Sequence, residues 1–123
     1  MTAQRAIADS EVDVQELLDR VEGDLELLHE IFSLFLEEFP KSYTLLTSAL
    51  ASNDLEQVQV TAHTLKGMLA SLSFVRASTS ARRIEQMARQ SQREGIAEEI
   101  TALGVIAQAA QASLQKTCSE ASW

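Results

Sequence analysis

The chain has 123 residues, 46% hydrophobic and 23% charged, with one proline and a formal net charge of −8. That composition excludes a disordered chain and fits one domain over residues 1–123 with a single core. The acidic balance without a basic stripe excludes a nucleic-acid-binding surface, and no apolar run approaches the ~20 residues of a membrane span. The polar start Met1-Thr2-Ala3-Gln4-Arg5 is no signal peptide. The lone Cys118 has no internal disulfide partner and no Cys/His grouping has zinc spacing, so a cytoplasmic protein is expected. The charge is uneven: residues 1–40 hold eleven acids and two bases, residues 41–123 seven acids and eight bases.

Residues 1–12 are polar, with room for a short helix. Asp13 is a good N-cap for a helix carrying Val14, Leu17, Leu18 and Val21, which Gly23 stops as the C′ residue. Asp24 caps the next helix, whose buried stripe is Leu25, Leu28, Phe32, Phe35 and Phe39. Pro40 lacks a backbone donor and disfavours helical geometry at Phe39, so a kink or break is expected there. The helix resumes through Leu45, Leu46, Ala49 and Leu50 and ends near Ser52-Asn53. Asp54 caps a further helix running to about Leu72, with a turn around Ser73. Another carries Ala77, Ala81, Ile84, Met87 and Ala88 and ends near Glu94-Gly95. The last carries Ile96, Ile100, Leu103, Ala107, Ala110 and Leu114, and its Gly104 and many alanines permit close packing at some cost in helix stability. The tail 117–123 has no periodicity and is expected to fray, leaving a bundle core of about 13–116. No stretch shows strand alternation. The fold class is therefore all-α: an antiparallel four-helix bundle with a short N-terminal helical segment.

The most informative stretch is Thr61-Ala62-His63-Thr64-Leu65-Lys66-Gly67-Met68-Leu69-Ala70. Leu55, Val58, Ala62, Leu65, Leu69 and Leu72 fall on one helical stripe, which turns His63 towards solvent. Lys66 and Gly67 lie three and four residues on, beside the imidazole. An exposed imidazole next to a cation and a position without a side chain suits a nitrogen that accepts a phosphoryl group from a bulky partner. Gly67 then clears the approach and Lys66 neutralises phosphate oxygens. Val60, Gly67, Ala70 and Phe74 project on the same side, with Thr64 and Ser71 at its edge, so Val60, Thr64, Ala70, Ser71 and Phe74 are candidates for a docking patch. The plain alternative for Val60 and Phe74 is packing against a neighbouring helix.

Other features read as structural. His29 sits between core positions without matching neighbours, a surface residue. Glu37-Glu38 lacks the Glu-x-x-His pair of a carboxylate metal site. Phe32, Phe35 and Phe39 are core, and Cys118 is an adventitious thiol. Most of the cluster Arg76, Arg82, Arg83, Arg89 and Arg93 is a solvated face, with one arginine left to help hold a phosphate.

Ala62-His63-Thr64-Leu65-Lys66-Gly67 resembles the signature of histidine-containing phosphotransfer (HPt) domains, in which the histidine is followed by x-Leu-Lys-Gly. Gly23–Leu28, Phe35–Pro40, Leu46…Ala49-Leu50…Asp54 and Ile84-Glu85 also resemble the family at matching offsets, so the similarity covers roughly residues 13–95. The resemblance implies a four-helix bundle displaying His63 as the phosphorylated residue, with Lys66 at the phosphate-stabilising and Gly67 at the clearance position. It implies a relay carrier rather than an autonomous enzyme. The phosphoryl group would come from the aspartyl phosphate of a response-regulator receiver domain or from a hybrid sensor histidine kinase, and would pass to another receiver. No cofactor is implied, since Mg²⁺ would be carried by the receiver. Two positions depart from the pattern: Met68 stands where a small residue is usual, and Leu72-Ser73 where a Leu-Gly turn is usual. Met68 points away from His63, and Ser73 suggests a less extreme turn backbone than glycine permits.

A neutral imidazole nitrogen is a competent nucleophile near neutral pH. The alternative is an adaptor that keeps the bundle and binds a receiver or kinase without being phosphorylated. A third reading, the phosphoacceptor domain of a chemotaxis-type kinase, needs an ATP-binding domain supplied by a longer chain or in trans. A helical-bundle enzyme ranks last, because no second catalytic group lies near His63 in the sequence. A bundle that closes its own core is expected to be a monomer.

Overall fold

Three aspartates start the first three helices. Asp13, Asp24 and Asp54 each accept the backbone N–H three residues on, at 3.0–3.1 Å, a cap that contributes about 1 kcal/mol. The computed structural model describes residues 12–120, with side chains through Thr117. Its helices are α1 (Val14–Arg20), α2 (Leu25–Ala51), α3 (Leu55–Ala70), α4 (Val75–Arg89) and α5 (Ile96–Glu120), and no strand occurs among the described residues. The short helix expected in residues 1–12 and the Cys118 thiol lie outside what is described, apart from Val12, which is buried.

α2 packs on α3, α3 on α4 and α4 on α5, while α2 and α5 meet along a thinner seam. Leu17, Leu28, Leu46, Leu65, Leu69, Ile84, Leu103 and Leu114 are fully buried between them. Most positions of the apolar stripes read from the sequence thus face one core, which supplies the dominant stabilisation; Leu25 and Leu45 of α2 do not, and are 38% and 48% exposed. No described helix is long and apolar enough to cross a membrane.

Pro40 does not break α2, which runs unbroken for 27 residues. The proline ring sits on the exposed side, so the Leu36 carbonyl it leaves without a donor is not trapped in the core. Phe39 stacks on Phe35 at 5.1 Å and on Tyr43 at 5.8 Å, holding the turns before and after Pro40 together. The Tyr43 hydroxyl donates to the Ile100 carbonyl of α5 at 2.8 Å. Gly104 makes room for this ring: a Cβ there would lie 2.6 Å from the Tyr43 oxygen.

The C-terminal ends of α1 to α4 follow one rule. Glu22, Asn53, Ser73 and Ser91 take left-handed φ values of 54–58°. The next residue in each case donates to the carbonyl five back, as in Gly23 to Leu18 and Phe74 to Leu69. This is the Schellman closure. Glu22, rather than Gly23, is therefore the C′ residue of α1, and Gly23 (φ 75°) makes the outer bond. α3 stops at Ala70, not Leu72. Ser73 adopts the left-handed backbone a glycine would take, not the milder turn expected of serine, because the closure geometry is set by the helix end. Its Oγ is buried without a hydrogen-bond partner, while its carbonyl accepts the Asp13 N–H at 3.0 Å and ties the N-terminal segment to the α3–α4 turn. The tail also differs from expectation: α5 continues through Glu120. Buried Leu114 and the Thr117 hydroxyl, bonded to the Ser113 carbonyl at 3.0 Å, hold the turns that periodicity alone did not reveal.

Candidate functional site

α3 alternates buried and open positions sharply. Val58, Ala62, Leu65 and Leu69 face the core with no exposed surface, which forces His63 outwards, where its side chain is 65% exposed. Gly67, one turn on, is also open, and a Cβ there would meet no atom within 4 Å. The glycine is not required by anything inside the protein.

α4 brings a partner that the sequence order hides. Glu85 is on the α4 edge against α3, its side chain only 6% exposed, and its Oε2 lies 2.9 Å from His63 Nδ1. The same oxygen accepts from the Arg89 guanidinium at 3.0 Å, and Lys66 Nζ lies 3.0 Å from Oε1. The Lys66 contact is an ion pair rather than a well-aligned hydrogen bond, since Oε1 has no partner of good angular geometry. Burial pushes the Glu85 carboxyl up, but the contacts and charges of Lys66 and His63 outweigh it and hold the group below the usual glutamate value near 4.5. Glu85 is therefore a carboxylate at neutral pH.

An ionised carboxylate only accepts hydrogen bonds, so His63 Nδ1 carries the proton and donates it to Glu85. In the neutral ring the lone pair is then on Nε2. One carboxylate among Lys66, Arg89 and a neutral imidazole leaves the site with excess positive charge, suited to an arriving dianion. No second group lies near His63 in the sequence, but the fold supplies two: Glu85 and Arg89 are remote in sequence and not in space. Of the five arginines weighed from the sequence, Arg89 reaches the site, whereas Arg83 pairs with Glu99 at 3.1 Å on the far edge of α4.

The docking candidates divide. Val60 is 55% exposed, and with Gln59, His63, Thr64 and Glu85 it lines a shallow hollow of about 200 Å³. Thr64 is exposed, its hydroxyl bonded back to the Val60 carbonyl. Ala70 and Ser71 are half-buried, and Ser71 Oγ donates to the Met68 carbonyl. Phe74 does not belong with them. It is fully buried, edge-on to Phe35 at 5.4 Å, because it lies beyond the end of α3, where the helical wheel no longer gives its direction. His29 is exposed and beside Glu26 and Glu30 on α2, but no group of three or more His, Cys, Asp or Glu is placed to hold a metal among the described residues.

The Hpt domain family matches the chain over residues 30–117, a span that includes His63, Lys66, Gly67, Glu85 and Arg89. No curated relative and no solved structure matches it. A match over most of the chain, on an all-helical fold with an open histidine on α3, makes this protein a member of the Hpt domain family, the histidine-phosphotransfer modules of phosphorelays.

Proposed function

We propose that His63 is the phosphorylated residue, that Nε2 is its nucleophilic atom, and that the protein carries phosphoryl groups between receiver domains, or from a sensor kinase to a receiver. The observation that carries this reading is the 2.9 Å contact between His63 Nδ1 and the buried Glu85 carboxylate. It fixes the ring and leaves the other nitrogen facing solvent. In the transfer, the N–P bond forms at Nε2 as the P–O bond of an aspartyl phosphate breaks, and the bond's electron pair leaves with the aspartate. The ring becomes cationic as it bonds to phosphorus, and Glu85 next to Nδ1–H offsets that charge. Lys66, 30% exposed, has the reach to turn from Glu85 towards the phosphoryl oxygens. Gly67 leaves space for the partner's backbone. Mg²⁺ belongs to the receiver in this reading, and the protein is a carrier rather than an autonomous enzyme. Val60 and Thr64 border the contact surface. A cytoplasmic setting, where receivers work, suits this role.

The test is phosphoryl transfer from a phosphorylated receiver domain to the wild type and to His63→Gln. Acid-labile label on the wild type and none on the variant is expected. Binding of a receiver without any label on the wild type would favour the adaptor reading.

A further inference from the structure

Most outward faces of this bundle carry charge: Glu26, Glu30 and Glu37 on α2, Arg82, Arg83 and Arg89 on α4. α5 differs. It has no charged residue from Ile100 to Gln115, yet Thr101, Val105, Gln108, Ala109, Ala112 and Gln115 are exposed. Val105, at 65%, is more exposed than Leu34 or Val60. The seam beside it opens into a cleft of about 470 Å³, lined by Phe39, Pro40 and Tyr43 of α2 and by Gly104, Val105 and Gln108 of α5, among others.

We propose that this face pairs with a second copy of the chain, α5 against α5 and antiparallel, about a two-fold axis that meets the exposed side of α5 level with residue 107. A two-fold axis sets a surface against itself, so any charge near the axis meets its own like. An uncharged run avoids that repulsion even in a chain of net charge −8. Glutamine amides both donate and accept, so the exposed Gln108 is self-complementary.

The ends of the run select the orientation. The exposed Glu98 and Lys116 bracket it, and eighteen residues at ~100° each return Lys116 to the same side of the helix as Glu98. Val105 lies within about 20° of that line. Antiparallel pairing centred on residue 107 brings Glu98 of each copy opposite Lys116 of the other. Parallel pairing would set Glu98 against Glu98. A strongly charged partner would find complementarity on α2 or α4 instead.

Pairing leaves His63 free, since α3 lies diagonally across the bundle from α5. It also departs from the monomer expected of a closed core. The contact is small: a helix stretch of ~27 Å by ~10 Å offers roughly 300–500 Å² per copy, below the ~800 Å² per partner of a standard stable interface. The dimer is therefore weak and forms at high protein concentration.

Sedimentation equilibrium on the full chain, from about 10 μM to about 1 mM, tests this. The mass should rise towards that of a dimer. Glu98→Lys or Lys116→Glu alone should weaken association by about tenfold, and the double exchange should restore it. Val105→Asp should abolish it, and His63→Gln should leave it unchanged. Unaltered helical circular dichroism and Tm would show that each variant is folded. A monomer's mass throughout overturns the proposal and leaves the face to a different protein. Association that survives the single charge changes and Val105→Asp overturns it too, by placing the contact elsewhere. Neither result depends on phosphoryl transfer.

Discussion

Gly67 in α3 and Gly104 in α5 stand in helices that would each gain about 1 kcal/mol from alanine at an unhindered position. Gly104 answers to a contact inside the protein, since a Cβ would lie 2.6 Å from the Tyr43 oxygen and 3.0 Å from the ring carbon that bears it, and the ring would have to move. Gly67 has no such neighbour within 4 Å. One glycine serves the α2–α5 seam. The other weakens its helix with no return inside the protein, and it does so one turn from an exposed histidine. A residue that costs stability and satisfies nothing within the fold points to an object outside it.

Four substitutions test the contrast between the two glycines. The largest effect is expected at Gly104→Ala. The methyl displaces Tyr43 from its stack on Phe39 and from the Ile100 carbonyl, and overpacking outweighs the gain in helix propensity by about 2 kcal/mol. Chemical denaturation measures this, and phosphoryl uptake per folded molecule should not change.

Glu85→Gln comes next. Phosphoryl uptake should fall about tenfold, because the amide does not hold Nδ1–H as a carboxylate does and carries no charge to offset the phosphorylated ring. The loss of two ion pairs, to Lys66 and Arg89, should also cost about 1 kcal/mol, limited by the exposure of Arg89. The sign of the pH dependence follows from a folded-state value held below 4.5. The carboxylate's contribution is fully present above the unfolded value and fades as pH drops through the folded one. The Tm difference between wild type and Glu85→Gln should therefore be constant near neutrality and shrink below about pH 4.5.

Gly67→Ala should act in opposite directions on two measurements. Thermal unfolding should show a gain of about 0.5–1 kcal/mol, whereas transfer from a receiver should slow. A gain in stability with unchanged transfer would remove the clearance role. Ser73→Gly gives the smallest effect, a gain of about 0.5–1 kcal/mol in the same unfolding assay. It relieves a left-handed non-glycine backbone and deletes a buried hydroxyl without a partner. Transfer should be untouched, since Ser73 lies in the turn under Asp13, away from His63.

What could be read from the sequence was what helical periodicity encodes. The apolar stripes of α2 to α5 and the caps at Asp13, Asp24 and Asp54 follow from spacing within one helix. So does the grouping of His63, Lys66 and Gly67, three residues within a single turn. Glu85 was out of reach because it is 22 residues away on another helix, and only the packing of α4 on α3 sets it against the imidazole. Its one sequence signal was the Ile84-Glu85 pair at a matching offset from the histidine, which marked the position without revealing its role. For Phe74 the structure meets the packing alternative, and the docking alternative failed for the converse reason. The wheel that placed it on the outer side assumes a helix, and α3 has ended before it. At Pro40 the helix continues where a break was one of two expectations, and an aromatic stack spans the point where a donor is missing.

¹⁵N and ³¹P NMR of the histidine side chains would locate the phosphoryl group in the labelled wild-type protein. It is expected on Nε2 of His63, with Nδ1 still protonated towards Glu85. Label on Nδ1, or on His29, would contradict this assignment.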